Sequence, residues 1–92
     1  MEIRKLKNMP YANAFVEYDN ETGNIYLWSY HTLVIVVEDR KVYVNGLYSQ
    51  TTRRHIGAFA KEYLGMDYNL MKNIYNDNYI LDLETGELID RD

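Results

Sequence analysis

The sequence contains no cysteine, one proline and only five glycines in 92 residues. Without cysteine, the chain can form neither a disulfide framework nor a thiolate metal site, and an intracellular location is permitted. It also lacks any apolar run near the roughly 18 to 20 residues needed to span a bilayer. The opening stretch, MEIRKLKNMP, lacks the apolar centre of a signal peptide. We therefore expect a cytoplasmic protein without membrane contact.

Tyrosine is what the chain has in abundance. Ten tyrosines contribute to an aromatic content of 14% and a hydrophobic content of 47%, which exclude a disordered chain and favour strands. A chain of this length forms one core, so residues 1–92 are predicted to be a single domain. Ten tyrosines exceed what that core can use, and tyrosine is enriched at protein interfaces. We expect contacts with a partner protein to include Tyr18, Tyr26 and Tyr79.

The first half of the chain has the pattern of an antiparallel β-meander. Aromatic-rich runs flank a polar loop at residues 19–24, and an apolar run at 33–37 is followed by a charged turn and another alternating run. These runs predict four strands within 12–45, with 33–37 as a central strand covered on both faces. The loop sequence D-x-E-T-G occurs again at 82–86, within a predicted C-terminal strand or hairpin.

The hydrophobic period changes to that of a helix after residue 48. An apolar stripe predicts one main helix over about 51–64, with Ser49 or Thr51 as its cap and Gly65 at its end. A second, weaker helix is predicted over about 68–75. The predicted fold is α+β, a four- to five-stranded meander sheet with the main helix packed on it. The predicted parts are a basic N-terminal segment (1–10), the meander (12–45), a helical part (49–76) and an acidic C-terminal hairpin and tail (79–92).

Negative charge is concentrated near the C-terminus. The formal net charge is −4, and acidic and basic residues balance over the first 81 positions. The acidic end is either a solvated terminus or a strip that docks on a basic groove of a partner protein, one that otherwise holds nucleic acid. If the acidic end is such a docking strip, its partner-binding residues are Asp82, Glu84, Glu87 and Asp90.

Two adjacent arginines stand at the start of the predicted main helix. A cation there faces the positive end of the helix dipole, which costs about 0.3 to 1 kcal/mol, so Arg53 and Arg54 have another role. They either pair with Glu38, Asp39 or the acidic tail, or take part in an oligomer contact, or belong to an anion or nucleic-acid site. The residues of that alternative site are Arg53, Arg54, Lys61, Thr51, Thr52 and His55. An isoelectric point near 5.1 argues against a dedicated nucleic-acid binder.

Catalytic chemistry has little support in the sequence. His31 and His55 are the only histidines, and neither has a partner at metal-ligand spacing. Ser29 and Ser49, each with a distant histidine, do not define a catalytic triad. We expect a non-enzymatic protein with no catalytic residue, no metal and no cofactor.

One block of the sequence does suggest a family. Residues 29–59, SYHTLVIVVEDRKVYVNGLYSQTTRRHIGAF, resemble a block found in small uncharacterised proteins of bacteriophages and mobile elements of Gram-positive bacteria. The similarity lies in S-Y-x-T-x-V, V-Y-V and Y-S-x-T-T-x-R-H, and it covers about a third of the chain. It implies a phage protein and, by analogy of gene setting, an inhibitor of a host defence complex such as a CRISPR RNA-guided nuclease, an anti-CRISPR protein. A second copy of the chain, forming a homodimer, and nucleic acid are the alternative partners.

Overall fold

A computed structural model describes all of residues 1–92. The strands are β1 (Glu2–Arg4), β2 (Ala14–Tyr18), β3 (Ile25–Ser29), β4 (Thr32–Glu38), β5 (Lys41–Val44), β6 (Tyr79–Asp82) and β7 (Leu88–Asp90). Between β5 and β6 lie the helices α1 (Gln50–Phe59) and α2 (Tyr68–Asn76), with a π-helical turn at Ala60–Leu64 following α1. The fold is α+β, as the sequence predicts. Neither helix combines the length and the hydrophobicity required to cross a membrane.

All seven strands form one antiparallel sheet in the order of the chain, β1 to β7. The expectation of four to five strands was therefore too low. The basic N-terminal segment contributes β1, and the C-terminal hairpin contributes both β6 and β7. The terminal strands β1 and β7 have three residues each and are exposed throughout, so they show no buried alternation that a sequence pattern could reveal. Strand β6 joins β5 with Leu81 opposite Val42.

The helices pack on one face of the sheet. Alternate residues of the central strands point towards them, and α1 and α2 contribute apolar side chains from their inner faces. Sixteen buried hydrophobic residues form one core cluster, and each large side chain fully buried there contributes about 1.5 to 3 kcal/mol. The members of that cluster from the helices are Ile56, Phe59, Ala60, Met71 and Ile74.

Strand β4 is central, as predicted, but only one of its faces is covered. Val36 lies half-buried on the side away from the helices. The consecutive buried residues Val34 and Ile35 result from a β-bulge: Leu27 pairs with Ile35 and Trp28 pairs with Leu33, so Val34 is the extra residue. The continuous apolar run thus reflects a bulge and an uncovered face, not burial on both sides.

The ends of the helices follow local signals. The Ser49 side chain caps α1 by accepting a hydrogen bond from the Thr52 amide at 3.2 Å. The helical segment continues through the π-helical turn and ends at Gly65, whose φ of 66° is left-handed. The predicted extent of about 51–64 is confirmed, although its last turn is π-helical. The second predicted helix is present, with Asp67 as its cap through a 3.0 Å bond from the Leu70 amide.

Candidate functional site

Three hairpin loops line one end of the sheet. Because the strands form a meander, the β2–β3, β4–β5 and β6–β7 connections all emerge at the same end. The Asp39 amide donates to Asn24 Oδ1 at 3.2 Å, which joins the first loop to the second. The Leu83 amide donates to the Arg40 carbonyl at 2.8 Å, which joins the second to the third. The loops therefore form one continuous edge.

We call this edge the acidic rim. Its carboxylates are Asp19, Glu21, Glu38, Asp39, Asp82, Glu84 and Glu87. Its two cations form exposed ion pairs, Arg40 Nη1 with Glu84 Oε1 at 3.5 Å and Lys41 Nζ with Asp39 Oδ2 at 3.9 Å. Exposed pairs of this kind are worth about 0 to 1 kcal/mol, and two cations do not balance the carboxylates. The rim presents an excess of negative charge to solvent.

The first and third loops repeat one structure. Asp19 Oδ1 accepts from the Glu21 amide at 3.0 Å, and Asp82 Oδ1 accepts from the Glu84 amide at 2.8 Å. The glycine of each D-x-E-T-G sequence has a φ of 79°. The bond from the Glu21 amide lowers the pKa of Asp19, because it favours the ionised carboxylate. The repeated D-x-E-T-G sequence thus forms two similar acidic turns on the rim.

The predicted acidic strip is divided by the structure. Asp82, Glu84 and Glu87 lie on the rim, whereas Asp90 is opposite Tyr79 near the other end of the C-terminal hairpin. The carboxylates of the first two loops are rim members that the sequence pattern does not indicate, because acidic residues are common in turns of any kind. The signal that could have found them is the repeated loop sequence combined with sequential strand order.

The three tyrosines predicted as partner contacts do not share a surface. Tyr18 is on the helix side of β2, with the Arg4 guanidinium 5.0 Å from its ring centre. Tyr26 lies on the opposite, open side of the sheet, and Tyr79 packs against the core near the far edge. Nevertheless, none of the ten tyrosines is buried. The chain therefore keeps its tyrosine rings at or near the surface, in several places.

The face of the sheet away from the helices is uncovered. In register across β1 to β5 it carries a row formed by Ile3, Glu17, Tyr26, Val36 and Tyr43. All but one of these side chains are apolar or aromatic, and each is half-buried or exposed. We call this surface the open face. Apolar surfaces of this kind on a small protein are typical of interaction sites.

The alternative anion site is not assembled as predicted. Thr52 and His55 are buried on the inner side of α1, whereas Thr51, Arg53, Arg54 and Lys61 are exposed. Neither Arg53 nor Arg54 has a carboxylate within 4.0 Å, so they do not pair with Glu38, Asp39 or the tail. Thr52 and His55 thus form a buried pair, whereas the other four residues face solvent.

The buried pair belongs to a polar cluster that joins β3 to α1. Ser29 Oγ lies 2.9 Å from Thr52 Oγ1 and 2.7 Å from His55 Nδ1. Ser29 and His55 are each only 1% exposed, and burial lowers the pKa of His55. The serine–histidine pair lies in the interior, where it links β3 to α1.

No group of three or more acidic or histidine side chains is arranged to hold a metal ion. A model of a protein family matches residues 1–80, and that family is described as a family of unknown function, DUF8033. The match includes the first two rim loops and both helices, and it ends within β6. Neither the curated proteins nor the solved structures contain a match to the chain.

Proposed function

The chain belongs to the DUF8033 family, and we propose that it is a non-enzymatic inhibitor that binds a host defence complex through its acidic rim. The rim would occupy a basic groove that otherwise holds nucleic acid. The phage origin comes from the resemblance of residues 29–59, and the target class, an RNA-guided nuclease of a CRISPR system, comes from an analogy of gene setting and not from a motif. The mode of binding comes from the surface of the protein.

The observation that carries this proposal is the concentration of carboxylates on three joined loops. Seven acidic side chains lie on one edge, and the loops are joined by one hydrogen bond from a backbone amide to a side chain and one between backbone groups. A rigid acidic edge complements a positively charged channel and speeds association with it. A pre-formed surface also avoids the free-energy cost of ordering flexible loops during binding.

Charge reversal on the rim tests the proposal directly. Glu84→Lys combined with Glu87→Lys changes two exposed rim residues whose carboxylates accept no hydrogen bond from the backbone. A matched control, Asp77→Lys combined with Asp90→Lys, makes the same change in net charge away from the rim. The measurement is inhibition of DNA cleavage by a purified guide-loaded CRISPR nuclease, together with co-elution of the two proteins.

We expect the unchanged protein to inhibit, the rim variant to lose at least tenfold in apparent affinity, and the control to inhibit normally. Affinity should also fall as salt is raised, because exposed charges are screened. Equal loss in both variants would indicate that net charge alone matters and would remove the rim from the mechanism. Absence of inhibition by the unchanged protein across the nuclease types tested would remove the proposed target.

A second function, binding of nucleic acid or another anion, is favoured by one observation. Arg53 and Arg54 are exposed on α1 without a carboxylate partner, so their charges are free for a phosphate backbone. We expect this function to produce salt-sensitive retardation of labelled RNA or DNA. The retardation should be lost when both arginines are replaced by alanine, and kept in the rim variant.

A further inference from the structure

We propose that the open face carries a binding groove for an arginine side chain of a partner protein. The groove has a volume of about 400 Å³ and is lined by Ile3, Phe15, Glu17, Trp28, Tyr30 and His31. Ligand pockets in proteins usually measure roughly 300 to 1,000 Å³. The groove is therefore large enough for one long side chain and part of the backbone that bears it.

The register of the first three strands builds the groove. Phe15 of β2 stands directly opposite Trp28 of β3, and Ile3 of β1 stands opposite Glu17 of β2. Directly opposed residues have Cβ atoms about 4.5 to 5.5 Å apart, so these side chains form adjoining walls on one face. No helix or loop of the protein fills the space between them.

Tyr30 lines the groove from the β3–β4 turn, and its ring centre lies 6.0 Å from that of the buried His55. The Tyr30 φ of 56° is left-handed, a conformation that residues other than glycine seldom adopt. Glycine would satisfy the same turn, but it would leave this side of the groove without a ring. Residues in this conformation occur at ligand-binding sites as well as in tight turns.

Glu17 gives the groove its preference for a cation. Its Oε1 accepts a 2.6 Å hydrogen bond from Trp28 Nε1, which fixes the carboxylate beside the indole ring. No cation lies within 4.0 Å of Glu17, so its negative charge is available to a ligand. The faces of aromatic rings also attract cations. A phosphate or carboxylate ligand would instead be repelled by Glu17.

The protein already places one of its own cations on this aromatic cluster. Lys5 Nζ lies 4.2 Å from the centre of the Phe15 ring and donates to the Ala12 carbonyl at 2.9 Å. Lys5 does not line the groove, but its ammonium group lies beside the ring of Phe15, which does. A planar, weakly hydrated guanidinium can stack on Trp28 or Tyr30 and pair with Glu17, whereas a compact ammonium concentrates its charge. Arginine is therefore favoured over lysine.

The groove and the acidic rim are neighbours. Glu17 lines the groove, and Asp19, two residues further along the same chain segment, begins the first rim loop. A basic partner that contacts the rim can thus insert an arginine into the groove. The identity of that partner rests on the proposed function, whereas the preference of the groove for arginine does not.

Trp28 makes the groove easy to monitor, because it is the only tryptophan in the chain. The probe is N-acetyl-L-arginine methylamide, titrated into the full-length protein while tryptophan fluorescence is recorded. The corresponding citrulline compound has nearly the same shape and no charge. We expect a saturable fluorescence change with the arginine probe, and at least tenfold weaker binding of the citrulline compound.

Two variants assign the effect to the groove. Glu17→Gln keeps the size of the side chain and an oxygen for Trp28, and should reduce binding of the arginine probe to the level of citrulline. Tyr30→Gly removes a ring at a position that glycine tolerates, so the variant should fold and bind at least threefold more weakly. Asp77→Asn, a loss of one exposed charge at the end of α2 and away from both the groove and the rim, should bind normally.

Equal binding of the two probes, or unchanged binding by Glu17→Gln, would overturn the proposal. So would tighter binding of a short thymidine oligonucleotide than of the arginine probe, since that would indicate base stacking on the rings. The titration uses the protein alone, so its result is independent of the nuclease assay. Binding of arginine without nuclease inhibition would retain the groove and remove the defence target, and the reverse result would remove the groove.

Discussion

The Ser29 hydroxyl lies 2.7 Å from Nδ1 of His55, in the interior between β3 and α1. The cluster continues to the start of α1. Thr52 Oγ1 lies 2.9 Å from Ser29 Oγ and accepts a hydrogen bond from the Ser49 hydroxyl at 3.2 Å. A single chain of hydroxyl groups thus connects the cap of α1 to a buried histidine.

Removal of the central hydroxyl should destabilise the protein. Ser29→Ala leaves His55 Nδ1 and the Thr52 hydroxyl without their partner in a buried site, which costs about 1 to 3 kcal/mol. We expect the urea midpoint to fall accordingly. The control is Thr51→Ala, which removes an exposed hydroxyl on the same helix and should change stability by less than about 0.5 kcal/mol. Equal effects of the two substitutions would contradict a structural role for the cluster.

Stability should fall as the pH decreases below about 6.5. Burial lowers the pKa of His55 in the native protein from its ordinary value of 6.5, so the unfolded chain binds this proton first. The stabilisation is complete above the unfolded pKa and is lost as the pH falls towards the native pKa. The slope for one proton is at most about 1.4 kcal/mol per pH unit.

Urea unfolding between pH 5 and 8 measures this dependence. His55→Gln should be less stable at pH 8 and should lose the additional slope below pH 6.5. The exposed His31 provides the matched control, and His31→Gln should keep the slope of the unchanged protein. A slope that persists in His55→Gln would assign the pH dependence to other groups.

The two glycines of the repeated rim loops should resist substitution for a backbone reason alone. A Cβ added at Gly86 would meet no atom within 4 Å, but the φ of 79° is unfavourable for alanine. Gly86→Ala should therefore destabilise by about 1 to 2 kcal/mol. Gly57→Ala is the opposite case: it lies inside α1, with only an ordinary contact at 3.4 Å to Tyr68, and should stabilise by about 0.5 to 1 kcal/mol. Thermal unfolding distinguishes the signs.

The β4–β5 turn offers a stabilising substitution on the rim. Asp39 and Arg40 have φ values of 51° and 60°. This is the arrangement of a two-residue hairpin turn, which favours glycine at its second position. Arg40→Gly should raise stability by about 0.5 to 1 kcal/mol, because the strain exceeds the worth of the exposed pair with Glu84. Arg40→Ala loses the same pair and keeps the strain, so it should show no gain. A lower melting temperature for the glycine variant would show that the ion pair dominates.

Local features of the fold were predictable because their causes are local. The Ser49 cap, the left-handed Gly65 and the loop at residues 19–24 each depend on a few adjacent side chains. Strand number depends on pairing between distant segments. Leu81 pairs with Val42 across the whole helical segment, and no periodicity in β6 indicates that partner. Three-residue edge strands also carry too little pattern to be recognised.

The candidate surfaces were predictable only in part, because they also depend on pairing between distant segments. The acidity of the C-terminal hairpin is visible in the sequence, but its union with the two earlier loops requires the strand order. Likewise, the aromatic run containing Trp28 indicates a strand, whereas its exposure depends on which face the helices cover. Thr52 and His55 illustrate the opposite error: they stand beside two exposed arginines in sequence and turn inward in the fold.

The sequential strand order has a consequence for how the chain reaches its native state. Every strand pairs with its neighbour along the chain, and only the β5–β6 junction encloses a long segment. Hairpins with short loops close within microseconds, and low sequence separation between contacts favours rapid folding. The slowest search should therefore be the arrival of the C-terminal hairpin beside β5 after the helices have docked. A chain interrupted before β6 would retain a β1–β5 meander whose last edge is unpaired.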